Sequence, residues 1–207
     1  LNEEGRLFDA RQQWVRGLDL EDVALPETVR VVLERRMQRV SIETQSVLRA
    51  AATIGRHFEP DLLEEVADID GDALIASLDE AEHARILAGP SGRRDITWGF
   101  THQLTCQMLS GAIPQQRRQR LHLRVADAMA RRDQESRVYA SGVAHHLYCA
   151  GGLADPDRTV RALMKAGDAA HLVYATEEAV QHYRRALEVL QDTGGETRAG
   201  LGGQEAP

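Results

Sequence analysis

His145, His146 and Cys149 are the residues of this chain whose types and spacing most invite chemistry. His145 and Cys149 stand one helical turn apart, which sets an imidazole and a thiol on one face. Such a pair could begin a zinc site, but a closed site needs further ligands at comparable spacing and none is visible. Packing and surface roles are the better reading of all three. Arg117, Arg118, Arg120 and Arg124 form a basic cluster that could touch nucleic acid or phosphate, although on an amphipathic helix it is more often a solvated flank. A Gly-x-x-x-x-Gly-Lys-Ser/Thr loop is absent. The stretch from Gly89 to Arg93 lacks the lysine and falls in a hairpin turn, away from any helix N-terminus that could cradle phosphate. The chain is therefore expected not to bind ATP or ADP unaided. Its carboxylates are scattered along helix faces with no spacing that would set one as acid and another as base, so no catalytic residue and no metal ligand is assigned.

The elements that must position these residues are mostly helices. Leu25, Val29, Val32, Leu33, Met37 and Val40 recur at offsets of three and four, and Pro26 can sit in the first turn without losing a hydrogen bond. Ser41 can cap the next helix, whose stripe is Val47, Leu48, Ala51 and Ala52, and Gly55 can supply a left-handed residue that stops it. Leu62, Leu63 and Val66 mark a third, shorter helix. Asp70 or Asp72 can cap a fourth, with Leu74, Leu78 and Ala81 inward and Ile86 and Leu87 continuing as a strand. After the turn Pro90-Ser91-Gly92 the period changes to two, with Ile96, Trp98 and Phe100 alternating against Asp95, Thr97 and Gly99. Three helices closed by one β-hairpin predict a winged helix over residues 26 to 103.

From His102 the helical period returns. Leu104 and Met108 share a face, Gly111 to Pro114 makes a break, and Leu121, Val125, Ala128 and Met129 lie on a longer helix. Val143, Ala144, Leu147 and Tyr148 lie on another, ending at Gly151-Gly152. Residues 104 to 152 thus read as connecting helices. Over 153 to 193, Leu163, Ala166, Gly167, Ala170, Ala179, Tyr183 and Ala186 fall on the small-and-large comb of a tetratricopeptide repeat. A single repeat cannot bury both its faces, so an array of further repeats is expected. Residues 1 to 25 read as the end of a preceding ATPase domain and a linker, with Arg6 to Asp9 and Gln13 to Arg16 pairing around Trp14. Residues 194 to 207, rich in glycine and without periodicity, read as a disordered tail.

Composition narrows the class. Of 207 residues, 43% are hydrophobic and 28% charged, as in ordinary globular proteins, and the low 4% of aromatics suits helices packed through alanine and leucine. No apolar run nears the roughly 20 residues of a membrane span and no signal-peptide layout opens the chain, which predicts a cytoplasmic protein without a membrane partner. Cys106 and Cys149 are too few and too far apart for a metal or redox framework, and are expected as reduced, partly buried thiols. A start on Leu1, in what reads as a helix end, suggests a piece of a longer protein.

Charge separates two functions. From Glu59 to Glu82 the chain carries ten carboxylates and neither lysine nor arginine, across the two helices that a winged-helix DNA reader would set against the duplex. Duplex binding depends on neutralising phosphates, and a net charge of −7 offers no compensation. Arg85, Arg93 and Arg94 of the wing do not offset these carboxylates. A DNA-binding winged-helix regulator is therefore the second reading, behind a non-catalytic regulatory and interaction module. An enzyme has no supporting constellation.

The fragments Leu25-Pro26-Glu27-Thr28-Val29, Ala51-Ala52-Thr53-Ile54-Gly55-Arg56-His57-Phe58, Phe100-Thr101-His102-Gln103-Leu104 and Tyr183-Arg184-Arg185-Ala186-Leu187 occur in an order that resembles the signal-transduction ATPases with numerous domains. The resemblance is to the bacterial branch that joins an ATPase to a winged helix, tetratricopeptide-like repeats and an effector, often a LuxR-type DNA-binding domain or a nucleotidyl cyclase. It implies a transcription-regulatory or signalling parent that binds ATP and ADP, with a winged helix that packs on the adjacent ATPase domain. It also implies repeats that receive an unidentified protein or small-molecule inducer. The related death-receptor and plant-immunity ATPases carry Met-His-Asp after the wing, where the histidine contacts the β-phosphate of ADP. Here the place is held by Thr101-His102-Gln103, so only the histidine carries over. Two roles stay open for His102, a phosphate sensor in the parent or a residue that caps the helix or packs the wing.

Overall fold

The computed structural model describes residues 27–92, 96–132 and 139–201, and the side chains of these apart from 27–30, 32 and 194–201. The hairpin expected around Trp14, Pro26 at a first helical turn, and Arg93 and Arg94 of the wing lie outside the described residues. The protein is mainly helical, with a small antiparallel sheet near its N-terminal end.

Helix α1 (Glu27–Met37) leads through Val40 into α2 (Ile42–Ile54), and Leu33, Met37 and Val40 are buried as their spacing requires. Ser41 caps α2, its hydroxyl accepting from the Thr44 amide at 3.1 Å. The same residue is clamped from a distant helix: the Ser41 amide donates to Glu80 Oε1 and its hydroxyl to Oε2, both at 2.8 Å, and the Thr44 hydroxyl donates to that carboxylate as well. Gly55 ends α2, but at φ 146° and ψ −171° it takes an extended mirror-image conformation. The expected left-handed helical turn is not what stops the helix. The chain must leave in extended form at once, because it enters a strand.

That strand, β1 (His57–Phe58), is followed by α3 (Pro60–Ala67), α4 (Gly71–His83), β2 (Leu87–Ala88) and β3 (Trp98–Phe100). Strand β3 is central, antiparallel to β2 with Leu87 opposite Phe100, and antiparallel to β1 with His57 opposite Gly99. The single hairpin read from the sequence is therefore corrected to a three-stranded sheet. Two residues are too short to display alternation. Gly99 permits the pairing, since a Cβ there would lie 2.8 Å from His57 Cδ2. Asp70 caps α4, its carboxylate accepting from the Asp72 amide, and Leu62, Leu63, Val66, Leu74, Leu78 and Ala81 all face inward.

Helix α5 (Gln103–Gly111) turns a different face inward from the one expected. Leu104 is exposed and Met108 half-buried, while Thr105, Cys106 and Leu109 pack on α2, the Cys106 thiol donating to the Ala52 carbonyl at 3.6 Å. Then follow α6 (Gln115–Arg132), α7 (Ala140–Ala150), one 3₁₀ turn (Gly151–Leu153), α8 (Pro156–Leu172) and α9 (Thr176–Leu201), each helix packed on the next. Apolar residues from Met37 to Ala154 form one continuous core, so 26–103 and 104–152 share it. A second cluster of Ala144, Leu163, Ala166 and Ala186 joins α7, α8 and α9. Helices α8 and α9 meet at Gly167, where a Cβ would stand 2.5 Å from Tyr183 Cε1, and the Tyr183 hydroxyl donates to Asp168 at 2.8 Å. Helix α9 runs to Leu201, into the stretch read as a structureless tail. Gly194 and Gly195 weaken a helix without breaking it as proline would.

Candidate functional site

Helix α6 buries His122 along with Val125, Ala126 and Met129, at offsets of three, four and seven, and α7 answers with Val143, His146, Leu147 and Ala150. Two imidazoles therefore meet inside an apolar seam. His122 Nδ1 and His146 Nδ1 are 2.8 Å apart, with ring centroids separated by 5.1 Å. Two nitrogens at that distance must share one proton. A neutral imidazole has one N–H, so one ring donates from Nδ1 across this contact and the other accepts there.

Burial holds both rings neutral. It lowers His122 to about 4, helped by His145 and Arg118, and pushes His146 well below the usual histidine range. His145 is lowered too, first by burial and then by Arg185 and His182. Its ring lies 6.1 Å from that of His122, and its Nε2 is 3.7 Å from Cys149 Sγ. His182 of α9 extends the series: Nε2 meets Ser141 Oγ at 3.2 Å, and Nδ1 is buried without a hydrogen bond among the described residues.

These helices enclose a cleft of about 510 Å³, a size suited to a small ligand. Its walls are the end of α2 from Ala52 through Gly55-Arg56, the α5 face of Gln103, Cys106, Gln107 and Ser110, and Arg118, His122, His145 and Cys149. Arg56 and Arg118 bring positive charge, and no carboxylate lines it. The cleft can hold a small polar molecule that carries negative charge towards the arginines. Among the described residues no three of His, Cys, Asp and Glu converge as a metal would require.

The sequence-derived candidates are thus sorted by the fold. His145, Cys149 and Arg118 come together, while Arg117, Arg120 and Arg124 face a separate groove of about 230 Å³ with Arg49 of α2. His102 stands at the N-cap of α5, exposed, with no capping bond from its side chain. The next residue, Gln103, lines the cleft. His122 and Arg49 were not singled out from the sequence. The available signal was periodicity, since His122 sits in register with the apolar stripe of α6. Comparison of the chain with protein-family models, with curated proteins and with solved structures finds no match in any of the three.

Proposed function

We propose that this chain is a non-catalytic regulatory and interaction segment of a signal-transduction ATPase of the resembled class. In this reading residues 26 to 103 are a winged helix that packs on the adjacent ATPase domain, and α8 and α9 are a tetratricopeptide-like pair in an array that receives a protein or small-molecule inducer. The observation that carries it is the element order α2-β1-α3-α4-β2-β3 with sheet order β1-β3-β2, followed by successively packed helices. That order supports a winged helix better than one hairpin did, because a strand between the first two helices completes the sheet.

The alternative, a DNA reader, is disfavoured by the solvent face of α4. Asp72, Asp79, Glu82 and His83 are exposed there, and the helix itself carries no lysine or arginine. The cleft beneath α5 is the natural relay in this reading, since α2, α5, α6 and α7 all contribute walls and Gln103 adjoins His102. Nucleotide state at His102 would then be felt by the helices that follow.

The test uses the parent protein with the ATPase expected on the N-terminal side of this chain. If His102 donates to the β-phosphate of ADP, a charge-assisted bond worth about 1.5–3 kcal/mol is lost in His102→Ala, a shift of roughly ten- to a hundredfold. ADP should dissociate faster by that factor, with unchanged melting of the isolated chain. Unaltered ADP release together with a lower melting temperature would assign His102 to packing. Absence of a phosphate loop upstream, or a salt-sensitive shift of duplex DNA by this chain that is lost in Arg93→Ala/Arg94→Ala, would overturn the reading.

A further inference from the structure

We propose that the groove between α2 and α6, where Arg49, Arg117, Arg120 and Arg124 converge, binds a phosphoryl dianion, as free phosphate or as a small monoester. The three arginines of α6 recur at offsets of three and four, so they form one row along the helix, and half-buried Arg49 closes the row from α2. None of the four is neutralised by a carboxylate among the described residues. Arg117 donates to Ser46 Oγ at 3.4 Å and Arg124 to the Glu65 carbonyl at 3.2 Å, both uncharged acceptors. Elsewhere on the same surface arginines are paired: Arg131 and Arg132 share Glu65, and Arg158 holds Asp127. Four guanidiniums around one small groove repel one another, and an anion seated among them removes that repulsion.

The number and type of donors select the anion. A carboxylate has two oxygens and is satisfied by one bidentate arginine, whereas a phosphoryl group presents three or four oxygens and up to two charges, which suits several guanidinium forks. A duplex nucleic acid fits poorly. The end of α3 forms the adjoining wall, and its Asp61, Glu64, Glu65 and Asp68 line the next depression, where further phosphates of a polyanion would meet carboxylates.

The full chain should show a saturable rise in melting temperature with inorganic phosphate at constant ionic strength, and broadening of the phosphorus resonance of the ligand. Chloride at equal ionic strength should not reproduce it. Arg120→Gln, at an exposed position, should weaken phosphate binding about tenfold or more without altering the melting temperature in chloride. Arg49→Gln should do the same, and Arg131→Gln should leave binding intact. Glycerol 3-phosphate competing at least as well as phosphate would identify a monoester site, and weaker competition a site for the free ion. Equal stabilisation by chloride, full phosphate binding by Arg120→Gln, or preference for a short DNA duplex over both phosphate probes would overturn the proposal.

Discussion

At the scale of single residues, the imidazole pair makes a measurable claim on acid stability. His122 titrates near 6.5 in an unfolded chain and at about 4 in the fold, so between those values the unfolded chain binds a proton that the folded one refuses. The contribution of His122 is therefore complete above pH 6.5 and is lost as pH drops through that window. The shift corresponds to about 3 kcal/mol in all, and His145 and His146 act in the same direction. In His122→Asn the side-chain amide can still hydrogen-bond His146 Nδ1 and no longer titrates. Urea unfolding at pH 7 and pH 5 should show a clearly smaller loss for this variant than for the unaltered chain. An identical loss would mean that the pair is not held neutral. None of this was legible from spacing alone, because His122 and His146 are 24 residues apart and meet only when α6 lies against α7. His145 and Cys149 were legible, being one turn apart on one helix, while His122, which lines the same cleft, was not.

Among elements, legibility followed the strength of local pattern. Helices α2, α3 and α4 were readable because their stripes are strict, and α2 and α4 are capped by Ser41 and Asp70. Strand β1 was not, since its two residues are defined by hydrogen bonding to β3, with Phe58 opposite Trp98 and His57 opposite Gly99. Helix α5 misled because Leu104 and Met108 also lie one turn apart, and the choice of face was made by tertiary contact with α2. The comb of α8 and α9 was legible at its closest point. Gly167 leaves room for the Tyr183 ring, and an added methyl would meet its edge at 2.5 to 2.9 Å. Gly167→Ala should therefore destabilise the chain by about 1–3 kcal/mol through overpacking, offset by at most about 1 kcal/mol of helix propensity. Tyr183→Leu in the same background should recover part of the loss. A Gly167→Ala variant as stable as the parent chain would show that the two helices can slide apart without cost.

For the whole molecule, the decisive property is apolar surface left open along α9 among the described residues. Val180, Leu187 and Leu190 are exposed, at 41%, 58% and 51%. Ala179 and Ala186 are buried and half-buried Tyr183 packs on Gly167 of α8, so the wide stripe read from the sequence divides into a covered part and an exposed one. The turn between α8 and α9 adds Leu172, Val173 and Tyr174, each more than two-thirds exposed. Apolar surface grouped in this way favours association. Sedimentation of the chain over a wide concentration range should show reversible self-association, because another copy can cover part of this apolar surface. Leu187→Glu places a charge at the centre of the stripe without touching the α8 contact. It should shift the equilibrium towards monomer at least tenfold while leaving the melting temperature within a few degrees. A chain that stays strictly monomeric at high concentration, or a Leu187→Glu variant that associates equally well, would show that the open surface of α9 is tolerated in water.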